Sequence, residues 1–343
     1  MCPGIDAASG LPLGVAPATV AEALARHPEV RAVLVGDPSY VGTVGDVAGL
    51  AAAAHEHDVP LVVDAAWAAH FGFHPDLPRH ALQLGADVLV VSAHKTLPAW
   101  SQASLLLART ERLDPARLDA AVEATATTSP AGAILASTDA ARALLERDGP
   151  ALLGAAIAAV REARERLAAV DGLVVLDGPA VDPLKLVLLL AGTGADGIDV
   201  EADLLAAGLP VEAAERDLVI AVASLADTAA TLGALVDAVL SSIRRRRGEP
   251  RPTSASPVYA VEPVTRMSPR AAYFAPWETL RAADAVGRIS VELVAPYPPG
   301  IPVLAPGEEV TAAVLETLDR ARSAGVRVAY AADPTLETLR VVR

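Results

Sequence analysis

The sequence predicts an α/β fold, in which a mainly parallel sheet with crossover helices is followed by a small α+β domain and a C-terminal domain. Three short apolar runs rich in β-branched residues carry the first part of this prediction: AVLVG (32–36), PLVVD (60–64) and DVLVVS (87–92). Helical stretches separate them, as in parallel βαβ units. Further along the chain, a long helix leads into a new pattern of short strands and helices.

Two helices and a fourth strand complete the predicted sheet domain. GDVAGLAAAAHEH (45–57) is rich in alanine, which favours a helix, and PRHALQLG (78–85) indicates a shorter one. ASLLLA (103–108) is a fourth strand, and because it follows the third so closely we interpret it as antiparallel. A long helix is then predicted over residues 149–169.

The small α+β domain is predicted from apolar runs that alternate with helices. LVVLDG (173–178), KLVLLLA (185–191) and DLVIAVA (217–223) have the length and composition of strands. Helices are predicted near 199–207 and at 227–243, and the second of these closes the domain.

Composition divides the chain into three domains and a linker. Residues 1–148 form the sheet domain, 149–243 the small domain and 259–343 the C-terminal domain, whose centre is the proline-rich PYPPGIPVLAPGEE (296–309). The polar, proline-bearing RRRRGEPRPTSASPV (244–258) is predicted to be the linker. Its arginines favour a solvated connector over a phosphate-binding patch.

Charge and cysteine content limit the classes of partner and compartment. A net charge of −14 argues against binding to nucleic acid or to an anionic membrane surface, and it suits either solubility or a cationic substrate. The single cysteine, Cys2, excludes an internal disulfide and a cysteine-built metal site. The N-terminus lacks the pattern of a secretion signal, and no apolar run approaches the roughly 20 residues of a membrane span. We therefore expect a cytoplasmic protein.

Lys95 is one of only two lysines in a chain that otherwise uses arginine, and Asp64 ends the preceding predicted strand. If the strands are parallel, both side chains emerge at the carboxyl-end edge of the sheet, where ligands of α/β folds bind. The two groups could simply form an ion pair. They could also serve pyridoxal phosphate, with the amine condensed with the cofactor aldehyde and the carboxylate keeping the pyridine nitrogen protonated. Arginine could not take this role, because it does not lose its proton.

Four stretches of the chain resemble the ornithine/lysine/arginine decarboxylases, which are pyridoxal phosphate enzymes of the aspartate aminotransferase fold. They are DAAWAAHFGFHPDLP (64–78), SAHKTLPAWSQAS (92–104), TTSP (127–130) and ISVELVAPYPPGIPVLAPGE (289–308). The resemblance covers nearly the whole chain. It implies decarboxylation of a basic amino acid, either arginine, lysine or ornithine, in polyamine biosynthesis. It also implies a homodimer or a higher assembly with shared active sites.

The resemblance implies a role for each matching residue of the cofactor site. Lys95 would form the Schiff base, and Asp64 would pair with the pyridine nitrogen. Ala66 would pack against one face of the cofactor ring. Ser92 would bind the cofactor phosphate, and His94 would lie beside the reacting carboxylate.

Two further residues would act across a subunit interface, since the resemblance implies that Thr127 and Ser129 approach the phosphate of the neighbouring subunit. Trp67 matches one branch of the family, where other members carry a histidine. The tyrosine often found shortly after TTSP is absent, because Ala131 and Gly132 follow.

The resemblance also implies that this chain has only part of the family's large domain. The glycine-rich phosphate cradle and a histidine stacked on the cofactor precede the region where this chain begins, so we expect a partial sheet. A fragment, a missed upstream start and a degenerate homologue all fit. The alternatives to a decarboxylase are an aminotransferase of the same fold and a non-catalytic homologue that acts only as a binding partner.

Three other features have simpler interpretations. GTGADG (192–197) fits a dinucleotide-binding fingerprint, but it lies in the small domain, and we interpret it as a tight turn. Six of the seven histidines lie between residues 55 and 94, yet their spacing does not favour a metal site, and we predict none. Lys185 begins a predicted strand, and we interpret it as a surface charge.

Overall fold

The computed structural model describes residues 3–6, 9–109, 111–252, 261–297, 300–323 and 326–343. The helices are α1 (Pro17–Arg26), α2 (Val47–His55), α3 (Ala93–Thr96), α4 (Pro115–Thr125), α5 (Gly132–Ala168), α6 (Gly197–Ala206), α7 (Ala229–Arg246), α8 (Pro269–Phe274) and α9 (Ala312–Ser323). The strands are β1 (Val33–Gly36), β2 (Leu61–Asp64), β3 (Val88–Val91), β4 (Leu105–Ala108), β5 (Val174–Val175), β6 (Lys185–Leu189), β7 (Ala213–Glu215), β8 (Leu218–Val222), β9 (Trp277–Arg281), β10 (Ala295–Tyr297), β11 (Arg327–Ala329) and β12 (Thr338–Val342).

The first sheet has the strand order β1-β2-β3-β4. β1, β2 and β3 are parallel, and β4 is antiparallel to β3. The four predicted strands and the direction of the last one are therefore confirmed, as is the α/β fold class with a mainly parallel sheet. α2 joins β1 to β2, whereas the connection from β2 to β3 contains a 3₁₀ turn at Ala81–Leu84 rather than an α-helix.

Apolar side chains pack α1 and α2 against this sheet. Leu50 of α2 and Leu61 and Val63 of β2 are buried in one core. Fully burying a leucine stabilises the folded state by roughly 1.5–3 kcal/mol. Ala51 and Ala54 lie on the buried side of α2, where their small side chains let the helix approach the sheet closely. The core therefore fixes the positions of the strands relative to α2.

α5 starts at Gly132, so the predicted start at residue 149 was wrong. Gly149 and Pro150 are residues typical of a helix boundary, because proline is favoured in the first turn and costs about 3 kcal/mol inside a helix. Here Pro150 lies inside α5. Leu145 and Leu153, on either side of it, are both buried in the same core. Packing along the continuous helix thus outweighs the lost hydrogen bond.

A second, antiparallel sheet has the order β5-β6-β8-β7. The predicted runs 173–178, 185–191 and 217–223 contain β5, β6 and β8, while β7 was not predicted. α5, α6 and α7 pack on this sheet through apolar residues that include Leu167, Leu188 and Val236.

The last part of the chain has its own apolar core around α9, β9 and β12, with the pairs β9–β12 and β10–β11 both antiparallel. The domain limits remain a prediction. α7 runs to Arg246 and so enters the predicted linker, where Arg246 pairs with Asp203 at 2.7 Å. Residues 253–258 of that linker lie outside the described residues, as do residues 298–299 of the proline-rich stretch.

Candidate active site

The three parallel strands end at one edge of the first sheet. Gly36 at the end of β1 is in register with Asp64 at the end of β2, and Asp64 is in register with Val90 of β3. The segments that follow these strands, together with two segments from later in the chain, enclose a cavity of about 600 Å³. Its lining residues are Gly36, Pro38, Tyr40, Asp64, Ala66, Trp67, His94, Lys95, Glu212 and Tyr297.

Asp64 presents an exposed carboxylate at the end of β2. Its Oδ1 accepts a hydrogen bond from the backbone N–H of Ala66 at 3.1 Å, which orients the side chain. Within the part of the chain that the structure describes, its Oδ2 accepts no hydrogen bond. One carboxylate oxygen is therefore available to a ligand in the cavity.

Lys95 lies on α3, a single helical turn that starts directly after β3. Its Nζ is 4.8 Å from the centroid of the Trp67 ring, and the side chain is exposed to the cavity. A cation at this distance from an indole face is attracted by the ring. The ammonium is thus held near the carboxyl ends of the strands without a carboxylate partner at ion-pair distance among the described residues.

His94 has one ring nitrogen fixed by the backbone. Its Nδ1 is 2.8 Å from the carbonyl oxygen of Ala103, and a carbonyl can only accept. Nδ1 must therefore carry the proton, which leaves Nε2 as the ring nitrogen that is free to meet a ligand.

Lys185 is fully buried, so the prediction of a surface charge was wrong. It is the first residue of β6, and its side chain is 0% exposed. Its Nζ donates a hydrogen bond to the carbonyl oxygen of Tyr40 at 2.9 Å and lies 3.7 Å from the centroid of the Trp67 ring. Burial lowers the pKa of Lys185 to about 8, against the opposing effects of Asp182 and Glu212. The surface charge was predicted because a lysine at the start of a strand usually reaches solvent.

Tyr40 connects the two sheets beside the cavity. Its hydroxyl donates to Oε1 of Glu212 at 3.1 Å, and its ring contacts the Trp67 ring edge-on, with 5.6 Å between the centroids. Burial, and next the charge of Glu212, raise the pKa of Tyr40. The phenol is therefore neutral and remains a hydrogen-bond donor.

Gly42 makes room for the stem of Lys185, and replacing it should destabilise the protein. Its φ is +89°, and an added Cβ would lie 2.9 Å from Cβ and Cγ of Lys185. We expect Gly42→Ala to lower the free energy of unfolding by about 2–4 kcal/mol, because backbone strain and overpacking add. Urea unfolding measures this change. Gly36→Ala is the control, since a Cβ there meets nothing within 4 Å, and an equal loss in both variants would contradict the prediction.

The structure brings four of the seven predicted site residues together. They line the same cavity: Asp64, Ala66, His94 and Lys95. Ser92 precedes α3 without lining the cavity, and its side chain makes no capping hydrogen bond. Thr127 and Ser129 lie in the exposed loop between α4 and α5, away from this cavity.

Sequence reasoning missed three cavity-lining residues, Tyr40, Glu212 and Tyr297, and it missed the buried Lys185 behind the lining residue Trp67. The rarity of lysine was the one available signal for Lys185, since both lysines of the chain contact Trp67. Among the described residues, no group of three or more His, Cys, Asp or Glu side chains could hold a metal ion. No described helix is long and apolar enough to cross a membrane.

Comparison with known families gives two matches along the chain. The description "Orn/Lys/Arg decarboxylase, major domain" matches residues 4–184, and "Orn/Lys/Arg decarboxylase, C-terminal domain" matches residues 253–327. The chain belongs to the Orn/Lys/Arg decarboxylase family. This confirms the resemblance found in the sequence. It also confirms the predicted enzyme class, because members of this family are decarboxylases, that is, carboxy-lyases.

Individual relatives in the Orn/Lys/Arg decarboxylase family agree with this assignment. An arginine decarboxylase of Halalkalibacterium halodurans is 33% identical, over 99% of this chain and 72% of the relative. An arginine decarboxylase of Bacillus subtilis is 32% identical, again over 99% and 72%. Lysine decarboxylase A from Pseudomonas aeruginosa has the same fold, with a TM-score of 0.81 at 21% identity. The match covers all of this chain and 63% of that structure, so the chain spans less than two thirds of its length.

Proposed function

We propose that this chain catalyses the pyridoxal phosphate-dependent decarboxylation of a basic amino acid, arginine, lysine or ornithine, to the corresponding amine. The observation that carries the proposal is that the Lys95 amine and the Asp64 carboxylate open into one cavity at the carboxyl ends of parallel strands. The cavity volume of about 600 Å³ lies within the usual range for small-molecule sites. The names of the arginine decarboxylase relatives support the same substrate class.

The residues present fit the reactive part of pyridoxal phosphate. The Lys95 amine would hold the cofactor through its aldehyde, and the free Oδ2 of Asp64 would accept a hydrogen bond from the protonated ring nitrogen. Ala66 offers a small apolar surface beside them. When bound, the cofactor supplies an electron sink for the electron pair left at the substrate Cα when carbon dioxide departs. Asp64 strengthens that sink, because its negative charge keeps the proton on the ring nitrogen.

The other lining residues suit the two ends of a basic amino acid. His94 has Nε2 free while Ala103 fixes its other nitrogen, and we assign it to the substrate carboxylate. Glu212 is exposed at the cavity and already accepts from Tyr40, and we assign its carboxylate to the cationic end of the substrate. Two carboxylates in one cavity, Asp64 and Glu212, thus receive two different positive charges.

Glu212→Gln should weaken the binding of basic substrates specifically. We expect its KM for the preferred basic amino acid to rise on the order of tenfold, the scale of a lost hydrogen bond to a charged group. The KM for a neutral analogue such as norleucine should not rise. Steady-state kinetics with both substrates measures the difference. Glu22→Gln on the exposed face of α1 is the matched control, and an equal rise in KM for norleucine would argue against this role of Glu212.

The type of reaction is tested by following the substrate carboxyl carbon. The same lysine and aspartate would also serve an aminotransferase of this fold. With arginine, lysine and ornithine each labelled at the carboxyl carbon, a decarboxylase releases label as carbon dioxide. Label retained in a keto acid would replace the proposal by transamination. A chain that stays colourless with added cofactor would favour the non-catalytic homologue.

We propose in addition that the active sites are shared within a homodimer or a higher assembly in the cytoplasm, where the product would serve polyamine biosynthesis. Thr127 and Ser129 are exposed and therefore accessible to a partner's cofactor phosphate, with Ser92 assigned to the phosphate within the chain. α4 has no buried residue, and Leu105, Leu106 and Leu107 of β4 are all exposed. Exposed leucines in adjacent positions support an interface. Light scattering of the purified chain measures the assembly.

A further inference from the structure

Lys185 and Lys95 are the only lysines of the chain, and both contact the same indole. The Nζ of Lys185 lies 3.7 Å from the Trp67 ring centroid, and that of Lys95 lies 4.8 Å away. Two ammonium groups around one ring repel each other, so their arrangement needs a physical reason. The Lys185 ammonium is buried behind the cavity wall, and the Lys95 ammonium opens into the cavity.

We infer that Lys185 is a positioning residue, whose buried ammonium holds the Trp67 indole and the Tyr40 segment in place as the cavity wall next to Lys95. Lys185 lies on β6 of the second sheet, while Tyr40 and Trp67 follow β1 and β2 of the first. The contact therefore joins the two sheets at the candidate site. Only the expected effect of Lys185 on substrate binding rests on the proposed function.

The ammonium of Lys185 is engaged by the wall and is not a second reactive amine. It donates to the carbonyl oxygen of Tyr40 at 2.9 Å and also lies over two aromatic rings, 3.7 Å from the Trp67 centroid and 5.2 Å from the Tyr40 centroid. It is 0% exposed and does not line the cavity. A cofactor aldehyde in the cavity therefore meets Lys95 and not Lys185.

The surroundings make this contact sensitive to pH. The charged groups that act on Lys185 are Asp182 before β6, Glu212 before β7 and Lys95 of α3. Asp182 is itself bound to the buried His70, with Nε2 and Oδ1 3.1 Å apart. Because burial lowers the pKa of Lys185 to about 8, its charge is present at neutral pH and is lost as the pH rises through that value. The attraction to the indole is lost with it.

The fluorescence of Trp67 reports on its contact with Lys185. The chain has three tryptophans, so Trp100→Phe with Trp277→Phe leaves Trp67 as the only indole. In this variant of the whole 343-residue chain without added cofactor, we expect a change in tryptophan fluorescence emission centred near pH 8. Lys185→Met in this reporter should abolish the pH-dependent change in emission. The same substitution should raise the KM for substrate on the order of tenfold with a smaller change in kcat, which is the scale of one desolvated cation–π contact.

Two controls assign the emission change. Lys95→Met in the reporter should keep the change, which excludes the other ammonium. A reporter that retains only Trp277, which lies 4.6 Å from Arg340, should show no change near pH 8. If Lys185→Met does not fold, the titration of the two Trp67 reporters that keep Lys185, with and without Lys95, still decides. A flat profile for Trp67, or a change that survives Lys185→Met, would overturn the inference whether or not the chain decarboxylates its substrate.

Discussion

Lys95→Ala is expected to abolish decarboxylation, with a fall in kcat of at least about 1,000-fold, the scale on which covalent catalysts fail when removed. Among the described residues that line the cavity, this amine is the one group that can bond an aldehyde and release it again. Lys95→Arg should fail equally, although it keeps the positive charge, because a guanidinium does not lose its proton. Release of labelled carbon dioxide measures activity in both variants.

Borohydride trapping followed by peptide mass mapping tests the same prediction without turnover. The trapped cofactor should be found on the peptide that contains Lys95, and it should disappear in both variants. The only other lysine is Lys185, so among the lysine side chains the choice lies between these two. Arg147→Ala on the exposed side of α5, where the arginine pairs with its neighbour Asp148, is the control that should retain full activity. Cofactor trapped on Lys185 in the native chain would contradict the assignment.

Asp64→Asn is expected to lower kcat by about 100- to 10,000-fold, the range for a group that sets the protonation state of a reacting partner. The amide has nearly the same shape as the carboxylate but no charge. It therefore cannot hold a proton on the ring nitrogen, and the electron sink weakens. Because the side chain is exposed at the end of β2, we expect the fold to be unaffected.

The pattern of retained and lost properties identifies this role for Asp64. The trapped bond to Lys95 should persist in Asp64→Asn while turnover is lost, and Asp64→Glu should recover part of the activity. Asp76→Asn, which changes an exposed carboxylate in the following loop, controls for a general change of charge. Loss of the trapped bond together with activity would instead indicate that Asp64 is needed to retain the cofactor.

The sheet could be predicted from sequence because local signals and tertiary structure agree there. Each run that became β1, β2 or β3 is short, apolar and β-branched, and the segments around them are helical or polar. α5 shows the opposite case. Its local break at Pro150 is real, but burial of Leu145 and Leu153 on one continuous helix outweighs it. That balance depends on a core that the sequence does not display.

The candidate site was predictable only where its residues follow adjacent strands. Asp64 and Lys95 could be placed together because both come directly after parallel strands. Glu212 and Tyr297 reach the cavity from distant parts of the chain, and no spacing rule connects them to it. The prediction for Lys185 was wrong for a different reason. Its burial depends on Gly42 and Trp67, which follow strands of the other sheet.

The enclosure of Lys185 leaves Lys95 as the one lysine amine that solvent reaches in the folded chain. Among the lysine side chains, an acylating reagent would therefore mark only Lys95 in a folded molecule, and both Lys95 and Lys185 in an unfolded one. The ratio of acylation at Lys185 to acylation at Lys95 would therefore measure the unfolded fraction of a sample. For the same reason, coupling this protein to a surface through lysine chemistry would obstruct its own binding cavity.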